Sequence, residues 1–384
     1  MTRTHEVSDI SPPIGRTMNN FAFMIHPIEP QKDVARKFPF LGKLPTGIID
    51  YFSRYFPPVY LSHMVGIRSE ATLEEIEGWL VACPVTPKRM LEIPVSAAYS
   101  KIVQTGKLAE RLGARILGLG AFTSVVGDAG LTVAKRLSIP VTTGNSLTIA
   151  MAVEAALEAA RRMDLEPATC IAAVVGAYGS IGKACAQLLS RTVPHLLLVG
   201  RQPERLREVE DLVRVAGVHA TSSTRLDDIR QADIVLTVTS STAPIIKPAH
   251  LKPGAVVCDV ARPRNVSRCV VEQRDDVLVI EGGVLDVPGQ VDFGFNFGFP
   301  PGKAYACMAE TMILALEGRY ECFSVGKETS LDRVNEIAGL AVKHGFRLSG
   351  FRSFERVVSD KQIEAVKAKA QAASLPPRGI GSKV

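Results

Sequence analysis

The sequence has 384 residues, of which 46% are hydrophobic and 22% charged, so the chain is long enough for two or three domains with a sizeable core. Its 45 Lys and Arg against 39 Asp and Glu leave a net charge of +6, and the ordinary share of glycine and proline excludes collagen-like and disordered chains. Seven cysteines are too few, and odd in number, for a disulfide scaffold. The first residues lack the pattern of a secretory signal, and no apolar run reaches the ~18 residues of a membrane span. We therefore expect a soluble, cytoplasmic protein with free thiols.

The first third of the chain alternates predicted strands and helices after a polar N-terminus, residues 1–20, that we expect to be flexible. Apolar runs and helical periodicity place these elements. Strands are predicted over residues 21–26, 59–67 and 116–121, and helices over residues 72–83, 86–112 and about 146–163. The helix over 72–83 is predicted because Thr72 and Glu75 have the spacing of a capping box.

From residue 169 onward the pattern becomes regular, with short Val/Ile/Leu runs and helical patterns between several of them. Strands are predicted over residues 171–175, 196–199, 234–238, 256–260 and 277–280, and later helices over about 303–318 and 330–344. Unbroken apolar runs suit strands that are buried on both faces of a parallel sheet. We therefore predict an α/β fold with a doubly wound, Rossmann-like domain.

A glycine-rich loop between the first of these strands and the next helix carries the clearest motif. In such a loop Gly176 permits the tight turn, Gly179 lets backbone N–H groups approach a pyrophosphate, and Gly182 lets helix and strand pack closely. The following helix adds the positive end of its dipole to the anion site. Strand, loop and helix together favour a dinucleotide site over a purely structural turn.

The end of the following strand indicates which dinucleotide is bound. An NAD enzyme places Asp or Glu there to hold the ribose 2′-hydroxyl. This sequence has Arg201 and Arg205 instead, which can pair with a 2′-phosphate that a carboxylate would repel. We predict NADPH as the cofactor, with solvated surface arginines as the alternative.

Small residues end two further strands, where the ligand crevice of this architecture lies. Thr237 and Thr239 end one strand, and Gly282 and Gly283 end another, which would leave room for the nicotinamide; ordinary turn residues are the alternative. The predicted cofactor-binding residues are Gly176, Ala177, Tyr178, Gly179, Ser180, Ile181, Gly182, Arg201, Arg205, Thr237, Thr239, Gly282 and Gly283.

One cysteine differs from the other six in its setting. The sequence has no C-x-x-C, H-E-x-x-H or clustered Cys/His pair, so we predict no metal site. Cys307 follows a Pro-Pro-Gly turn at a predicted helix start, and Lys303 lies four residues earlier on the same helical face. An ammonium group and a helix N-terminus both favour a thiolate, which makes Cys307 a candidate nucleophile. A buried small hydrophobe is the alternative.

Several segments, taken in order, resemble the aldehyde-forming long-chain fatty acyl-[acyl-carrier-protein] reductase family of cyanobacterial type. The matching segments are residues 120–124, 142–145, 175–182, 281–283, 306–310, 316–318 and 343–346. The resemblance covers roughly residues 20–346, and the sequence departs from the family around residues 32–56, around 300–303 and beyond 346.

The resemblance implies NADPH-dependent reduction of a fatty acyl thioester, on acyl-carrier protein or CoA, to a fatty aldehyde. It also implies that Cys307 accepts the acyl group. Motif matches make Thr123, Ser124 and Asn145 candidate donors to the oxyanion, with turn and cap residues as the alternative. His344 is a candidate proton donor, with a structural histidine as the alternative.

These predictions divide the chain into five parts. They are a flexible N-terminus (1–20), an α/β substrate domain (21–165), a Rossmann-like NADP-binding domain (166–290), a helical segment with Cys307 (291–350) and a basic tail (351–384). From residue 345 onward eight Lys or Arg stand against three Asp or Glu. Such a tail can steer an acidic carrier protein or make peripheral contact with an anionic membrane, or simply be solvated.

Other functions fit parts of the sequence. A shikimate-dehydrogenase-like or glutamyl-tRNA-reductase-like NADP oxidoreductase would share the nucleotide loop, although no Lys/Asp catalytic pair is evident in the N-terminal domain. A non-catalytic NADP-binding regulatory protein would bind cofactor without turnover. We predict no nucleic-acid partner, because the chain has no recognised module and its basic residues are not interleaved with aromatics.

Overall fold

Two six-stranded sheets organise the chain in the computed structural model, which describes residues 18–215, 217–298 and 300–374. Nearly all of the N-terminus that we expected to be flexible lies outside these ranges, as do the last ten residues of the predicted basic tail. Among the helices in these ranges, none has the length and apolar character that a membrane span requires.

The strands and helices are numbered in chain order. The strands are β1 (Asn20–Ile25), β2 (Val59–Arg68), β3 (Glu75–Ala82), β4 (Leu117–Leu119), β5 (Val141–Thr142), β6 (Ile171–Val175), β7 (His195–Val199), β8 (His219–Ser223), β9 (Ile234–Thr237), β10 (Val256–Asp259), β11 (Leu278–Glu281), β12 (Val284–Asp286), β13 (Gly289–Asp292), β14 (Lys303–Tyr305), β15 (Arg347–Leu348), β16 (Phe351–Ser353) and β17 (Arg356–Val358). The helices are α1 (Pro30–Lys37), α2 (Thr46–Ser53), α3 (Pro87–Glu92), α4 (Val95–Arg111), α5 (Leu131–Ala134), α6 (Asn145–Arg162), α7 (Ser180–Leu189), α8 (Pro203–Arg214), α9 (Arg268–Gln273), α10 (Ala306–Leu316), α11 (Leu331–His344) and α12 (Asp360–Ser374).

Strands β6 to β11 form a parallel sheet in the order β11-β10-β9-β6-β7-β8. The chain starts in the middle at β6, moves outward to β8, and then crosses to β9 on the other side. The carboxyl ends of β6 and β9 therefore flank the switch point at which such sheets bind ligands. This order confirms the predicted α/β fold with a doubly wound, Rossmann-like domain.

The other sheet is mixed and has the order β13-β2-β3-β1-β4-β5. Strand β1 pairs in parallel with β3 and β4, and β4 pairs in parallel with β5, whereas β2 is antiparallel to β3 and to β13. Because β13 follows the Rossmann-like sheet in sequence, the chain returns to the N-terminal sheet around residue 290, where we had expected a helical segment.

Helices α6 and α10 connect the two sheets. Helix α6 packs against β9 and β10 of the parallel sheet and also against α10, which packs on β1 and β4 of the mixed sheet. Ala152, Ala156 and Ala159 are fully buried on α6, and their spacing puts them on one face of the helix. These small side chains permit the close helix packing that brings the two sheets together.

The predicted helix over residues 72–83 is wrong, because this segment contains β3. The Thr72 hydroxyl accepts a hydrogen bond from the Glu74 N–H (3.4 Å) within a turn rather than at a helix start. In the strand the even-numbered residues from Ile76 to Leu80 are buried and the odd-numbered residues between them are half-buried, which is the two-residue period of a sheet. The polar spacing that imitates a capping box belongs to the turn before the strand.

Two other predicted helices have different bounds. The pattern over 86–112 contains two helices, α3 and α4, because Pro94 lacks the N–H that would continue the first into the second. The helix expected from Lys303 begins at Ala306 instead, because Lys303–Tyr305 pairs as β14 with β12. Cys307 is therefore the second residue of α10 and lies in its first turn.

The predicted basic tail is folded as far as residue 374. It forms the hairpin β16–β17 and helix α12, whose Ile363 is buried in the same apolar cluster as the parallel sheet. Two of its lysines are paired, Lys367 with Asp164 (2.7 Å) and Lys369 with Asp275 (3.3 Å). Much of the predicted positive charge is thus used within the fold.

Candidate functional site

A cavity of about 1110 Å³ lies where the carboxyl ends of the parallel strands of both sheets face each other. The turns after β6, β7, β9, β10 and β11 line one end of it, and the residues after β1 and β4 line the middle. Cys307 lies at this junction, and aromatic and aliphatic residues line the other end. The apolar end is lined by Phe38, Phe40, Leu41, Leu44, Ile48, Ile49, Phe52, Phe56, Val59, Leu61, Phe295 and Phe297.

The glycine loop has the geometry that its sequence predicts. Gly176 adopts a φ of +90°, which a side chain would strain. A Cβ on Gly182 would lie 2.2 Å from the Gly176 carbonyl oxygen, so helix α7 approaches the strand as closely as a glycine allows. Gly176, Ala177 and Gly182 shape the loop from behind and do not line the cavity.

The other residues of the loop face the cavity. Its wall includes Tyr178, Gly179, Ser180 and Ile181, and α7 begins at Ser180. The unpaired N–H groups of a helix's first turn bind anions. This end of the cavity therefore fits the pyrophosphate of a dinucleotide.

Arg201 and Arg205 line the same end of the cavity. The Arg205 guanidinium stacks 4.5 Å from the centre of the Tyr178 ring and donates to the Tyr178 carbonyl oxygen (3.3 Å). Both cations lie after β7, where this fold holds the adenosine ribose of a dinucleotide, whose 2′ position carries the extra phosphate of NADP. The residues thus fit a cofactor with a 2′-phosphate.

The structure separates the two threonines after β9. Thr237 is fully buried and its hydroxyl donates to Asn265 Oδ1 (2.9 Å), so it does not line the cavity and is not placed to bind cofactor. Thr239 lines the cavity, and both its N–H and its hydroxyl donate to the same oxygen (2.9 Å each). Gly282 and Gly283 also line it, as predicted.

Cys307 is held by two loops from the N-terminal half of the chain. The Ala121 N–H lies beside the Cys307 sulfur and acts to lower the pKa of its thiol. A Cβ on Gly144 would lie 2.2 Å from the Cys307 Cα, and Gly144 has a φ of +74°. Only glycine permits this approach, so the loop at 142–145 packs directly on the first turn of α10.

The expected lowering of the thiol pKa by its surroundings is wrong. Burial raises the pKa of Cys307 to about 11, and the neighbouring Glu310 carboxyl adds to this rise. The N–H groups of Ala121 and Met308 lower the pKa of Cys307, but by less than burial and Glu310 raise it. In the free protein the sulfur is therefore a thiol at neutral pH.

Ser124 and Asn145 both lie in the cavity wall near this cysteine. The Ser124 hydroxyl donates to the Ala121 carbonyl oxygen (2.6 Å), and Asn145 is the first residue of α6. Thr123 is buried and donates to the Gly120 carbonyl oxygen (2.8 Å), which makes it a residue of the turn.

Lys303 and His344 lie outside the cavity lining, contrary to the predicted catalytic roles. The Lys303 ammonium pairs with Asp286 (2.5 Å) and also bonds to the Ser349 hydroxyl, because β14 and not a helix carries it. His344 is fully buried, with Nδ1 2.7 Å from the Ser69 hydroxyl and Nε2 2.5 Å from Glu317. It joins α11 to the turn before β3.

Sequence reasoning missed His26, which lines the cavity at the end of β1. Its Nε2 accepts the Phe122 N–H (2.9 Å), and burial lowers the pKa of His26 to about 4, so the ring is neutral. The ring thereby fixes the turn in which Ala121 adopts a φ of +47° and presents its N–H to Cys307. A histidine directly after a parallel strand was the available signal.

Glu310 is the second missed residue, and it is the one ionisable side chain in the otherwise apolar helix α10 apart from Cys307. It accepts hydrogen bonds from the Thr142 hydroxyl (2.5 Å) and the Leu147 N–H (2.9 Å). Burial raises the pKa of Glu310. These bonds tie the loop at 142–145 to the helix that carries Cys307, and a lone acid three residues after the cysteine was the signal.

Within the described ranges no group of three His, Cys, Asp or Glu side chains comes together as metal ligands do. The cavity thus presents cations, N–H groups, a thiol and apolar side chains.

The chain is similar to several known proteins. Residues 158–281, from the end of α6 to the end of β11, match the family Shikimate / quinate 5-dehydrogenase. PigE, an aminotransferase from Serratia sp., is 32% identical over 303 residues, which are 77% of this chain and 35% of that protein. A long-chain acyl-[acyl-carrier-protein] reductase from Synechococcus elongatus is 26% identical over 335 residues, 83% of this chain and 95% of that protein. A glutamyl-tRNA reductase from Cyanothece sp. is 28% identical over 181 residues, 45% of this chain and 41% of that protein.

The chain spans about a third of the length of the aminotransferase that it matches and nearly all of the cyanobacterial reductase. The matched family segment coincides with the parallel sheet. Sheet order and family match together indicate the fold of NAD(P)-dependent oxidoreductases.

The raised pKa of Cys307 predicts how the rate of thiol alkylation depends on pH. In the free protein, alkylation of Cys307 by iodoacetamide should accelerate about tenfold per pH unit from about pH 7 to about pH 10, because the thiolate fraction grows in that proportion below the pKa. Mass spectrometry of the peptide that contains Cys307 measures the rate. The exposed Cys269 and Cys322 serve as references in the same digest, and a plateau for Cys307 below about pH 9 would contradict the assigned environment.

Proposed function

We propose that this protein reduces a long-chain fatty acyl thioester to a fatty aldehyde with NADPH, through an acyl group carried on Cys307. One observation carries the proposal: a single cavity connects the glycine loop, the cysteine and an aromatic-lined compartment. A hydride donor, a nucleophile and an apolar chain can thus meet at one point. The likeness to the cyanobacterial reductase along 83% of this chain supports the same assignment.

Residues of the doubly wound domain would hold the cofactor. The first turn of α7 would bind the pyrophosphate, and Arg201 with Arg205 would bind the 2′-phosphate. The cofactor, when bound, supplies a hydride. Thr239, Gly282 and Gly283 line the stretch of cavity between these groups and Cys307.

The first chemical step takes place on Cys307. Its sulfur forms a bond to the thioester carbonyl carbon, the bond from that carbon to the carrier sulfur breaks, and the thiol proton leaves with the carrier thiol. Because the pKa of Cys307 is raised, this proton must move as the bond forms. The acyl chain then occupies the apolar compartment.

The carbonyl oxygen becomes negative as the sulfur attacks, and it needs fixed donors. The Ala121 N–H already reaches the sulfur, and the side chains of Ser124 and Asn145 line the same wall. Addition of a hydride and a proton to the acyl group gives a thiohemiacetal on Cys307. Its carbon–sulfur bond then breaks, which releases the aldehyde and restores the thiol.

The apolar compartment favours this substrate over the alternatives. Shikimate is small and polar, and the match to the shikimate dehydrogenase family covers the nucleotide-binding segment and not the aromatic-lined end. The match to glutamyl-tRNA reductase covers 45% of this chain. A non-catalytic NADP-binding protein would bind cofactor and leave Cys307 unacylated.

The carrier, acyl-carrier protein or CoA, would approach from the cytoplasm, where we place the protein. The basic tail contributes less to this approach than its sequence indicates, because Lys367 and Lys369 pair within the fold. Arg378 and Lys383 lie outside the described residues.

Acylation of the cysteine tests the proposal. Incubation with a ¹⁴C-labelled palmitoyl thioester in the absence of NADPH should place one label on Cys307, because the thioester bond can exchange before any reduction. Peptide mass spectrometry locates it. Cys307→Ser should lose the label as a thioester and lose aldehyde formation, while Cys269→Ser, at an exposed cysteine outside the cavity, should keep both. Aldehyde formation by Cys307→Ala at the normal rate would refute the role of the cysteine.

Cofactor preference tests the arginines separately from turnover. Arg201→Ala should raise the dissociation constant of NADPH by about tenfold, because a charge-assisted hydrogen bond to the 2′-phosphate is lost, and leave that of NADH nearly unchanged. Calorimetry measures both. Arg207→Ala, on α8 and outside the cavity lining, is the matched control. If the substitution weakened the binding of NADPH and NADH equally, Arg201 would not bind the 2′-phosphate.

A further inference from the structure

The segment from α1 to β2 exposes an unusual number of aromatic side chains. Ile48, Tyr51 and Phe52 share one face of α2, and Tyr55 follows two residues after the helix ends; their exposed fractions are 42%, 46%, 50% and 64%. The opposite side of α2 is buried through Ile49. Helix α2 therefore has apolar residues on both sides, and one of them faces outward.

The three exposed rings at the end of α2 form a connected surface. The ring of Tyr51 lies 5.2 Å from that of Phe52 and 6.4 Å from that of Tyr55. Phe40 at the preceding turn is 68% exposed, and Phe56 after the helix is 42% exposed. A contiguous apolar patch of this kind on a protein surface marks an interaction site. We call these five residues together with Ile48 the aromatic face.

The aromatic face is also the mouth of the cavity. Phe40, Ile48, Phe52 and Phe56 line the cavity and are exposed to solvent at the same time. The opening of the cavity is therefore surrounded by apolar side chains, which are more stable in an apolar medium than in water. A molecule leaving the apolar end emerges at this surface.

Cations accompany the aromatic rings. The Arg54 guanidinium lies 4.4 Å from the Tyr51 ring centre and 4.7 Å from that of Tyr55, and Lys37 and Lys43 are exposed nearby. Asp50 is the acidic residue between residues 37 and 60, and its carboxylate is buried and paired with Arg89 (2.7 Å). The charge that this face presents to a partner is positive.

We propose that the aromatic face docks onto the surface of an anionic lipid bilayer. Aromatic rings with arginine and lysine at their edge are the composition of helices that lie in the headgroup region. The positive charge matches anionic headgroups. A bilayer also offers what an acidic protein does not, an apolar interior directly at the mouth of the cavity.

Vesicle binding by the full chain tests this proposal without any turnover. The protein should co-float with vesicles of phosphatidylcholine containing phosphatidylglycerol, and bind vesicles of phosphatidylcholine alone more weakly. The double variant Phe52→Ser, Tyr55→Ser should lower the partition coefficient by at least about tenfold, because the two rings together lose more than about 1.4 kcal/mol of burial free energy. Lys43→Glu should weaken binding to the anionic vesicles only.

Matched substitutions and a second partner complete the test. Val215→Ser and Val342→Ser change side chains that are 89% and 74% exposed outside the aromatic face, and should bind vesicles like the unmodified protein. Thermal melts establish that each variant is folded. The proposal is overturned if the protein does not bind vesicles, or if the double variant binds them as well as the unmodified protein does. It is also overturned if the double variant still binds vesicles but loses affinity for apo acyl-carrier protein or loses self-association. Vesicle binding by a protein whose Cys307 takes no label would refute the proposed function alone.

Discussion

The site depends on the close approach of Gly144 to the first turn of α10. The loop at 142–145 belongs to the N-terminal sheet, and α10 comes from beyond the parallel sheet, so their contact brings the two carboxyl edges together at Cys307. A Cβ at Gly144 would lie within 2.6 Å of three Cys307 atoms, one of them the carbonyl oxygen. Glu310 reinforces the contact, because its carboxyl binds Thr142 and Leu147 on either side of the loop.

A row of ion pairs joins the carboxyl end of β11 to α1. Glu281, at the end of β11, pairs with Arg264 (2.8 Å) and Arg262 (3.4 Å), and Arg264 is 3.6 Å from Glu355, which pairs with Lys32 of α1 (2.5 Å). Although burial opposes its charge, these two arginines hold the pKa of Glu281 below its usual range. These ion pairs thus link the parallel sheet to α1, which packs against α2 of the aromatic face.

Local patterns in the sequence predict the parallel sheet well, because β6 and the glycine loop depend on neighbours within a few residues. Gly176 and Gly182 adopt the roles that their spacing indicates. The same kind of reasoning fails at Lys303, where the sequence pattern predicts a helix but the residues form strand β14. The partner strand, β12, lies earlier in the chain, and Lys303 pairs with Asp286, seventeen residues before it. Local reasoning also fails at residues 72–83, where the spacing of a turn imitates a helix start.

The thiol pKa shows the limit of local reasoning most clearly. From the sequence, a helix start and a lysine favour a thiolate, yet burial and Glu310 raise the pKa of Cys307, and Lys303 lies outside the cavity lining. Glu310 is close in the sequence, but the backbone of Ala121 and Gly144, which also lies against Cys307, comes from more than a hundred residues earlier in the chain. No window along the sequence contains them together with Cys307.

In the proposed function the acyl group on Cys307 is an intermediate and not a side product. A single-turnover experiment distinguishes the two: the acylated protein is isolated by gel filtration, free of thioester, and NADPH is added. For an intermediate we expect the acyl mass to leave Cys307 with release of one equivalent of aldehyde, at a rate no slower than steady-state turnover. An acyl mass that persists, or that leaves as the carboxylic acid, would contradict this role.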